Sequence, residues 1–420
     1  MRRVIKFGGT SLASPQMVRE GARQVAQLVE YGEQIAVVVS APGNATSELL
    51  GAIYEVSDSR VEFPETCEFA ALGEEQSVHM MVAALRSLGV AAQPFLPRAA
   101  ESWPIIADIE DSSPLATAKV NEERPFRLRT QQTVSRFRRF VLPHLRVGTV
   151  PVISGFFAVD SAERVVALGR GGSDITAFIV ATQISADEVV IVTDVQGVLS
   201  ADPRLAENPR LLQELSVEDL EVISSAGARV LHPRALKFHA PHVKVRLCDY
   251  RELDQLEQSG TSILGRSQTT LRRHPEELSM LTILGELGEL VRLQETITAW
   301  IREQQLSIAA LSLSDRFACI YLPTQVADAA YASLHSALIS EFPELTSVSL
   351  RGGVGELRLR GGRFIDEPGV LAETCGVIAN ARINIVEVIT GYTDISVFVS
   401  WEDMDRAEEL LRRVLEHYTG

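Results

Sequence analysis

Lys6-Phe7-Gly8-Gly9-Thr10-Ser11 decides how the first half of this chain is read. Val4 to Phe7 has the apolar character of a buried strand. Beyond the two glycines, Ser14-Pro15 has the form of a helix N-cap followed by a first helical position. Val18, Ala22, Val25 and Val29 then share one face of the predicted helix. A strand that enters a helix through paired glycines lets backbone N–H groups approach phosphate oxygens, while the helix start and Lys6 add positive potential. An ordinary glycine-containing β–α turn fits the same letters. The chain has no Gly-Lys-Ser or Gly-Lys-Thr tripeptide and no G-x-G-x-x-G after a strand, so neither a Walker NTPase nor a Rossmann dehydrogenase is supported.

Working outward, further strands are predicted at Gln34 to Ser40, Val150 to Ser154, Val165 to Leu168, Glu188 to Thr193 and Val243 to Cys248, with a second helix from Cys67 to Leu88. Alternation of strands with amphipathic stretches predicts an α/β domain around a mainly parallel sheet. A second glycine turn, Gly169-Arg170-Gly171-Gly172-Ser173-Asp174, follows the strand at 165–168. Two such turns in one domain can bracket a polyphosphate. Arg170 offers a planar fork for a carboxylate or phosphate, and Asp174 serves either a ligand or its own helix as a cap. Thr193-Asp194 to Arg204 again follows a buried strand, where open α/β sheets bind ligands. Gly227-Ala228-Arg229-Val230-Leu231-His232-Pro233 reads as a helix end, a basic side chain and a turn.

The chain is 420 residues long, which predicts two or three domains. A polar stretch after Gly265 ending in His274-Pro275 marks a boundary. From Glu356 the order is strand, loop, helix, strand Ile383 to Thr390, strand Asp394 to Ser400 and a helix from Asp403 to Tyr418. That is a ferredoxin-like β-α-β-β-α series short of its last strand. A weaker copy runs from Leu278 to Leu350, with a helix near Arg292 to Gln304 and strands at Leu306 to Leu311 and Phe317 to Leu322. The missing strand predicts interleaving of the two repeats or completion by another subunit.

A net charge of −15 without a basic, aromatic-interleaved block argues against a nucleic-acid partner. No membrane span and no signal peptide are expected, which predicts a cytoplasmic protein. Cys67, Cys248, Cys319 and Cys375 lie too far apart for a zinc motif or a disulfide scaffold.

The four segments in this order resemble the aspartate kinase branch of the amino acid kinase family over the whole chain, including a C-terminal pair of ACT domains. The resemblance implies an amino acid kinase fold, a mainly parallel open sheet between helices, at residues 1–266. Two ferredoxin-like βαββαβ ACT domains would then occupy 267–350 and 351–420, interleaved with one another or not. The implied cofactors are ATP and Mg²⁺, with no metal ligand assigned to the protein, and the implied substrate is L-aspartate. Lys6, Gly8 and Gly9 would hold the ATP phosphates, Lys6 also offsetting charge at the transferred group, with Asp174 beside it. Thr193, Asp194, Leu199, Arg204, Arg229 and Val230 would surround the nucleotide. Thr46 would contact aspartate, Glu74 would receive its ammonium, and Arg170 would clamp a carboxylate, with Gly171, Gly172 and Ser173 completing that site.

By the same likeness Asp366, Pro368, Gly369, Asn384, Ile385 and Glu387 would line an amino-acid effector site, and the ACT domains would join subunits into a homo-oligomer. The sequence departs from the family at Leu199, where Tyr is usual, at Arg229, where Lys is usual, and at Ser47, where Asn is common. Leu306-Ser307-Ile308-Ala309 lacks the acid of lysine-responsive relatives. Spacing alone also allows Glu74 to be a solvated helix residue. Two other functions stay open: a kinase acting on glutamate or N-acetylglutamate, and a catalytically weak ACT-domain regulatory paralogue.

Overall fold

The computed structural model describes residues 1–110, 120, 122, 124–225, 231–253, 256, 259–265, 269–285, 290–314, 316–339, 341–342, 345–361, 364 and 369–418. The chain divides into two compact units, Met1–Ser267 and Gln268–Gly420.

The first unit contains strands β1 (Arg2–Phe7), β2 (Gln34–Val39), β3 (Ala92–Phe95), β4 (Ala107–Ile109), β5 (Phe126–Leu128), β6 (Val150–Ser154), β7 (Phe157–Val159), β8 (Val165–Ala167), β9 (Glu188–Thr193), β10 (Glu214–Ser216), β11 (Lys244–Asp249) and β12 (Thr261–Leu264). Its helices are α1 (Pro15–Glu30), α2 (Ala45–Val56), α3 (Phe63–Ser87), α4 (Thr130–Arg136), α5 (Leu142–Arg146), α6 (Gly172–Ile184), α7 (Val217–Ser225) and α8 (Pro233–Leu236). Eight strands form the main sheet in the order β10-β12-β11-β9-β1-β2-β6-β3. Only the β11–β12 pair is antiparallel.

β2 and β9 are almost continuous runs of Val, Ile and Ala because both faces of a parallel sheet are covered. Val4, Ala36, Val38, Val189 and Ile191 face α6 and α8, while Ile5, Phe7, Val37, Val39 and Val190 face α1 and α3. α1 begins as its sequence predicts, with Pro15 at the first position and the Ser14 hydroxyl accepting the Met17 amide. α6 is buried nearly all round, from Ile175 to Ile184, as a helix between sheet and outer elements must be. At the amino ends of the strands, Glu188 on β9 is buried between Arg3 (2.7 Å) and Arg246 (3.1 Å), joining three adjacent strands at the edge opposite their carboxyl ends.

The second unit contains β13 (Thr270–Arg273), β14 (Leu278–Gly285), β15 (Ala310–Leu313), β16 (Phe317–Pro323), β17 (Leu345–Arg360), β18 (Ile385–Thr390) and β19 (Asp394–Ser400), with helices α9 (Leu290–Glu303), α10 (Thr324–Ile339), α11 (Val370–Asn380) and α12 (Met404–Tyr418). The first half of β17 pairs with β14, which pairs with β16 and then β15. That is a complete ferredoxin-like set. The second half of β17 pairs with β19, which pairs with β18, and on its other side with β13. The fourth strand of the later repeat therefore comes from before the earlier one. The two four-stranded sheets, continuous through their shared β17 as one seven-stranded array, face each other through Cys319 and Tyr321 on one side and Phe398, Val386 and Ile389 on the other, and each has its own helices on its outer side. The strand expected at Leu306 to Leu311 begins only at Ala310. Gln305 takes a left-handed φ of 53°, and the Leu306 amide closes on the Ile301 carbonyl, so the helix end takes up the residues expected in the strand.

Candidate active site

β1, β2, β6 and β9 end side by side, with Phe7 opposite Val39 and Val192 and with Val39 opposite Ser154. The loops that follow must therefore meet at one edge of the sheet, as ligand-binding loops of open α/β sheets do. Backbone bonds tie them together: Gly8 N to Val192 O (3.3 Å), Gly43 N to Gly9 O (2.9 Å) and Gly155 N to Val39 O (2.8 Å). A Cβ on Gly9 would lie 2.8 Å from the Ala41 carbonyl oxygen, so this close approach of two loops requires glycine.

Lys6 reaches from β1 into this edge, and its Nζ lies 2.7 Å from Asp174 Oδ1 in the first turn of α6. The two glycine turns thus share one ion pair. α6 starts from Gly171, whose φ of 75° is left-handed and whose carbonyl accepts the amides of Asp174 and Ile175 at 3.0 Å. A Cβ there would fall 2.5 Å from His232 Cβ, so His232, ahead of α8, packs directly on this turn. Arg170 is exposed, and Ser173 is held against Gly155.

Thr46 lies in the first turn of α2, beyond the loop that follows β2. α3 presses on that same loop, since a Cβ at Gly73 would be 2.9 Å from Ala41 Cβ. The adjacent Glu74 is buried, with 3% of its surface exposed. Burial pushes its carboxyl up to about 8, partly opposed by the Ala41 N–H and its own backbone N–H, and its Oε2 has no partner among the described residues. The neighbouring Glu75 is held by Arg98 through a fork at 2.9 and 2.5 Å.

On the other flank the Thr193 hydroxyl bonds both the amide and the carbonyl of Val195, and Asp194 is exposed. Leu199 is half-buried in a bridge to Leu211. Arg204 forks onto Asp202 at 2.7 and 3.0 Å and holds that carboxyl down to about 2. Its guanidinium is thus committed to a neighbour two residues away. Arg229 and Val230 fall outside the described residues.

Two features escaped the sequence reading. Phe156 has a left-handed φ of 72°, with its amide on Thr176 Oγ1 (3.2 Å) and its carbonyl on the Leu168 amide (2.9 Å), which pins the β6 loop to α6. Its only signal was a Gly-Phe pair after a buried strand. Asp249 ends β11 opposite Thr193 and holds Arg251. A cavity of about 270 Å³ lined by Phe63, Asp108, Asp160, Ser161 and Arg164 contains none of these residues, and its carboxylates are already taken, Asp160 by Arg164 and Asp108 by Arg129 and the Ser161 amide.

In the second unit, Gly369 is the left-handed N-cap of α11, while Asp366 and Pro368 fall outside the described residues. Asn384 and Ile385 sit at the start of β18. Glu387 accepts the Tyr321 hydroxyl at 2.5 Å, and the Tyr321 ring stacks on Phe398 at 3.9 Å between the two sheets. Glu356 accepts from Arg358 (2.7 Å) and Ser396 (2.7 Å), and Arg358 also reaches the Ala309 carbonyl of the first repeat at 3.2 Å. Glu387, the carboxylate expected at the effector site, thus bonds Tyr321 of the other repeat.

Among the described residues no helix is long and apolar enough to cross a membrane. Comparison with known proteins finds "Aspartokinase 2" of Bacillus subtilis (strain 168) 27% identical over 98% of this chain and 97% of its own length. The "Aspartokinase" of Mycolicibacterium smegmatis is 28% identical over 97% and 94%. The structure of aspartate kinase from Synechocystis superposes with a TM-score of 0.76 at 21% identity, over 98% of this chain and 69% of that one. That of E. coli aspartokinase III in complex with aspartate and ADP gives 0.53 at 22%, over 99% and 100%. An ACT domain model matches residues 351–413. The model of the Amino acid kinase family matches residues 1–249, which hold every strand of the main sheet but β12, both glycine turns and the Lys6–Asp174 pair, and the chain belongs to that family.

Proposed function

We propose that the protein is an aspartate kinase, which transfers the γ-phosphoryl group of ATP to the side-chain carboxylate of L-aspartate and gives 4-phospho-L-aspartate, the first step towards lysine, threonine and methionine. The observation that carries this reading is Lys6 Nζ at 2.7 Å from Asp174, between two glycine turns at the carboxyl edge of a parallel sheet. Relatives named aspartokinases that align along almost the whole chain support it.

An aspartate carboxylate, with a reference pKa of about 3.9, is ionised at neutral pH and needs no general base. The barrier lies in bringing two anions together, so positioning and positive charge carry the reaction. The Gly8 and Gly172 N–H groups are held by the Val192 and Gly169 carbonyls, so the Gly9 and Ser173 N–H groups are the ones left to receive phosphate oxygens, and the close packing at Gly9 fits a backbone cradle. Lys6 moves between Asp174 and the transferred group, offsetting its charge. Bound Mg²⁺ would supply further neutralisation of phosphate charge, with no ligand assigned to it from this chain. Glu74 takes the substrate ammonium, Arg170 clamps the α-carboxylate, and Thr46 and Ser173 orient the remainder. Thr193, Asp194 and Leu199 flank the nucleotide, with Arg204 reaching it on leaving Asp202.

Residues 1–266 form the catalytic domain, and 267–350 and 351–420 the two ACT domains, with β13 exchanged between them. These bind an amino-acid effector and join subunits. E. coli aspartokinase III, a fold relative, is known in complex with lysine and aspartate. Hydroxamate trapping of the acyl phosphate tests the assignment with aspartate, glutamate and N-acetylglutamate, each with and without lysine, threonine or methionine. Product from aspartate alone is expected, and product from either other acid alone refutes it. Lys6→Ala should lower kcat roughly 10²- to 10³-fold with little change in either KM.

A further inference from the structure

α3 carries several hydroxyls, and two of them show what a helical hydroxyl ordinarily does. Thr66 Oγ1 donates back to the Glu62 carbonyl at 2.9 Å and Ser87 Oγ to the Ala84 carbonyl at 2.8 Å, the usual local bonds of Ser and Thr in helices. Ser77 differs. It is completely buried, and among the described residues its hydroxyl has no partner. Glu74, three residues earlier and so on the same face, has one carboxylate oxygen in the same condition. Buried polar atoms are nearly always satisfied, so two orphans one helical turn apart imply a guest with hydrogen-bonding capacity. The stretch of α3 that holds them is the one pressed on the loop after β2, with Glu74 taking the Ala41 amide.

We infer that Ser77 is a second residue of the amine subsite: its hydroxyl donates to Glu74 and accepts one N–H of the substrate ammonium. This rests on the reading of Glu74 given above and extends it. A carboxylate accepts only, and a hydroxyl both accepts and donates, so the pair matches a primary ammonium with several donors. An N-acylated amine, with one N–H and no charge, leaves one of the two unmet. Ser77 thereby contributes to specificity for a free amino acid.

The test compares Ser77→Ala, the nearly isosteric Ser77→Cys and Glu74→Gln in the full chain. Both Ser77 variants should raise the aspartate KM about 10-fold, the scale of a hydrogen bond in a charged pair. kcat and the ATP KM should stay within twofold. Thermal unfolding without aspartate should be unchanged or slightly raised in Ser77→Ala, since the hydroxyl satisfies nothing in the empty protein, while the aspartate-induced rise in Tm shrinks. A hydroxyl with a purely structural role gives the opposite: a lower Tm without aspartate and an unchanged KM. That result overturns the inference, as does an aspartate KM within twofold of wild type in both Ser77 variants. Glu74→Gln separates the two levels. A wild-type KM in that variant at the alkaline end, where Glu74 is ionised, refutes the amine site itself, whereas a weakened Glu74→Gln beside normal Ser77 variants refutes Ser77 alone.

Discussion

Glu74 should make aspartate binding steeply pH-dependent. Its carboxyl is pushed from the ordinary 4.5 to about 8 by burial. At pH 7 only about one molecule in ten then carries the charge that an ammonium needs. Aspartate recruits the ionised form, so its KM should fall roughly fifteenfold between pH 6.5 and 8.0 at saturating ATP, then level off. Binding at pH 7 should release nearly one proton, read by calorimetry in two buffers of different ionisation enthalpy. Glu74→Gln should abolish the slope, and its KM should approach that of wild type at the acid end, where wild-type Glu74 is itself neutral. Stability carries the matching sign. A carboxyl raised on folding stabilises the empty protein below its unfolded value, and that contribution is lost as pH rises from 4.5 towards about 8, up to roughly 5 kcal/mol. A wild-type aspartate KM that is flat from pH 6.5 to 8.0, or a Glu74→Gln variant with an unaltered slope, would refute the reasoning.

Gly171→Ala meets both a left-handed φ and the His232 side chain. It should cost about 2–5 kcal/mol in urea unfolding and reduce aspartate turnover, and wild-type stability would contradict the close packing. Glu188→Gln removes the carboxylate shared by the buried Arg3, which keeps Glu33, and the half-buried Arg246. A loss of roughly 3–5 kcal/mol with unchanged kcat is expected, checked by denaturant unfolding beside steady-state rates. Tyr321→Phe removes the hydroxyl held by Glu387 in the layer between the sheets. It should destabilise the second unit by about 1–2 kcal/mol, seen as faster amide exchange in β16 and β18, and unchanged exchange would count against that joint.

Much of the first unit was legible because its signals are local. Gly8-Gly9 and Gly171-Gly172 punctuate apolar runs, and Ser14-Pro15 caps a helix with its own side chain. What was not legible depends on distant partners. Glu74 stands beside Glu75 and Gln76, and that run of polar letters fits a solvated face equally well. It becomes buried because Arg98, more than twenty residues on, takes up Glu75, and because Gly73 lets the helix press on Ala41. Arg204 reads as a ligand for phosphate, yet Asp202 lies within reach along its own loop. In the second unit the order of elements could be read, but Thr270–Arg273 has no alternating apolar pattern. Its role as the fourth strand of the later repeat comes from the long β17 that both repeats share.

The charges at the site also explain why sequence shows the residues but not their state. A partly buried lysine, a carboxylate beside it and a buried glutamate cannot all stand uncompensated away from water. In the empty protein each is compensated within the chain: Lys6 by Asp174, and Glu74 by a proton. The substrates then replace those internal partners, the phosphate displacing Asp174 from Lys6 and the ammonium displacing the proton from Glu74. At Glu74 the exchange leaves the pair neutral, one proton leaving as the ammonium arrives, whereas at Lys6 the phosphate adds negative charge that the bound cation and the backbone N–H groups must offset. Each step carries its own signature: a pH-sensitive one at Glu74, where a proton leaves as the ammonium enters, and a nucleotide-dependent one at Lys6, whose pair with Asp174 is only 12% and 13% exposed and so is weakly screened by salt.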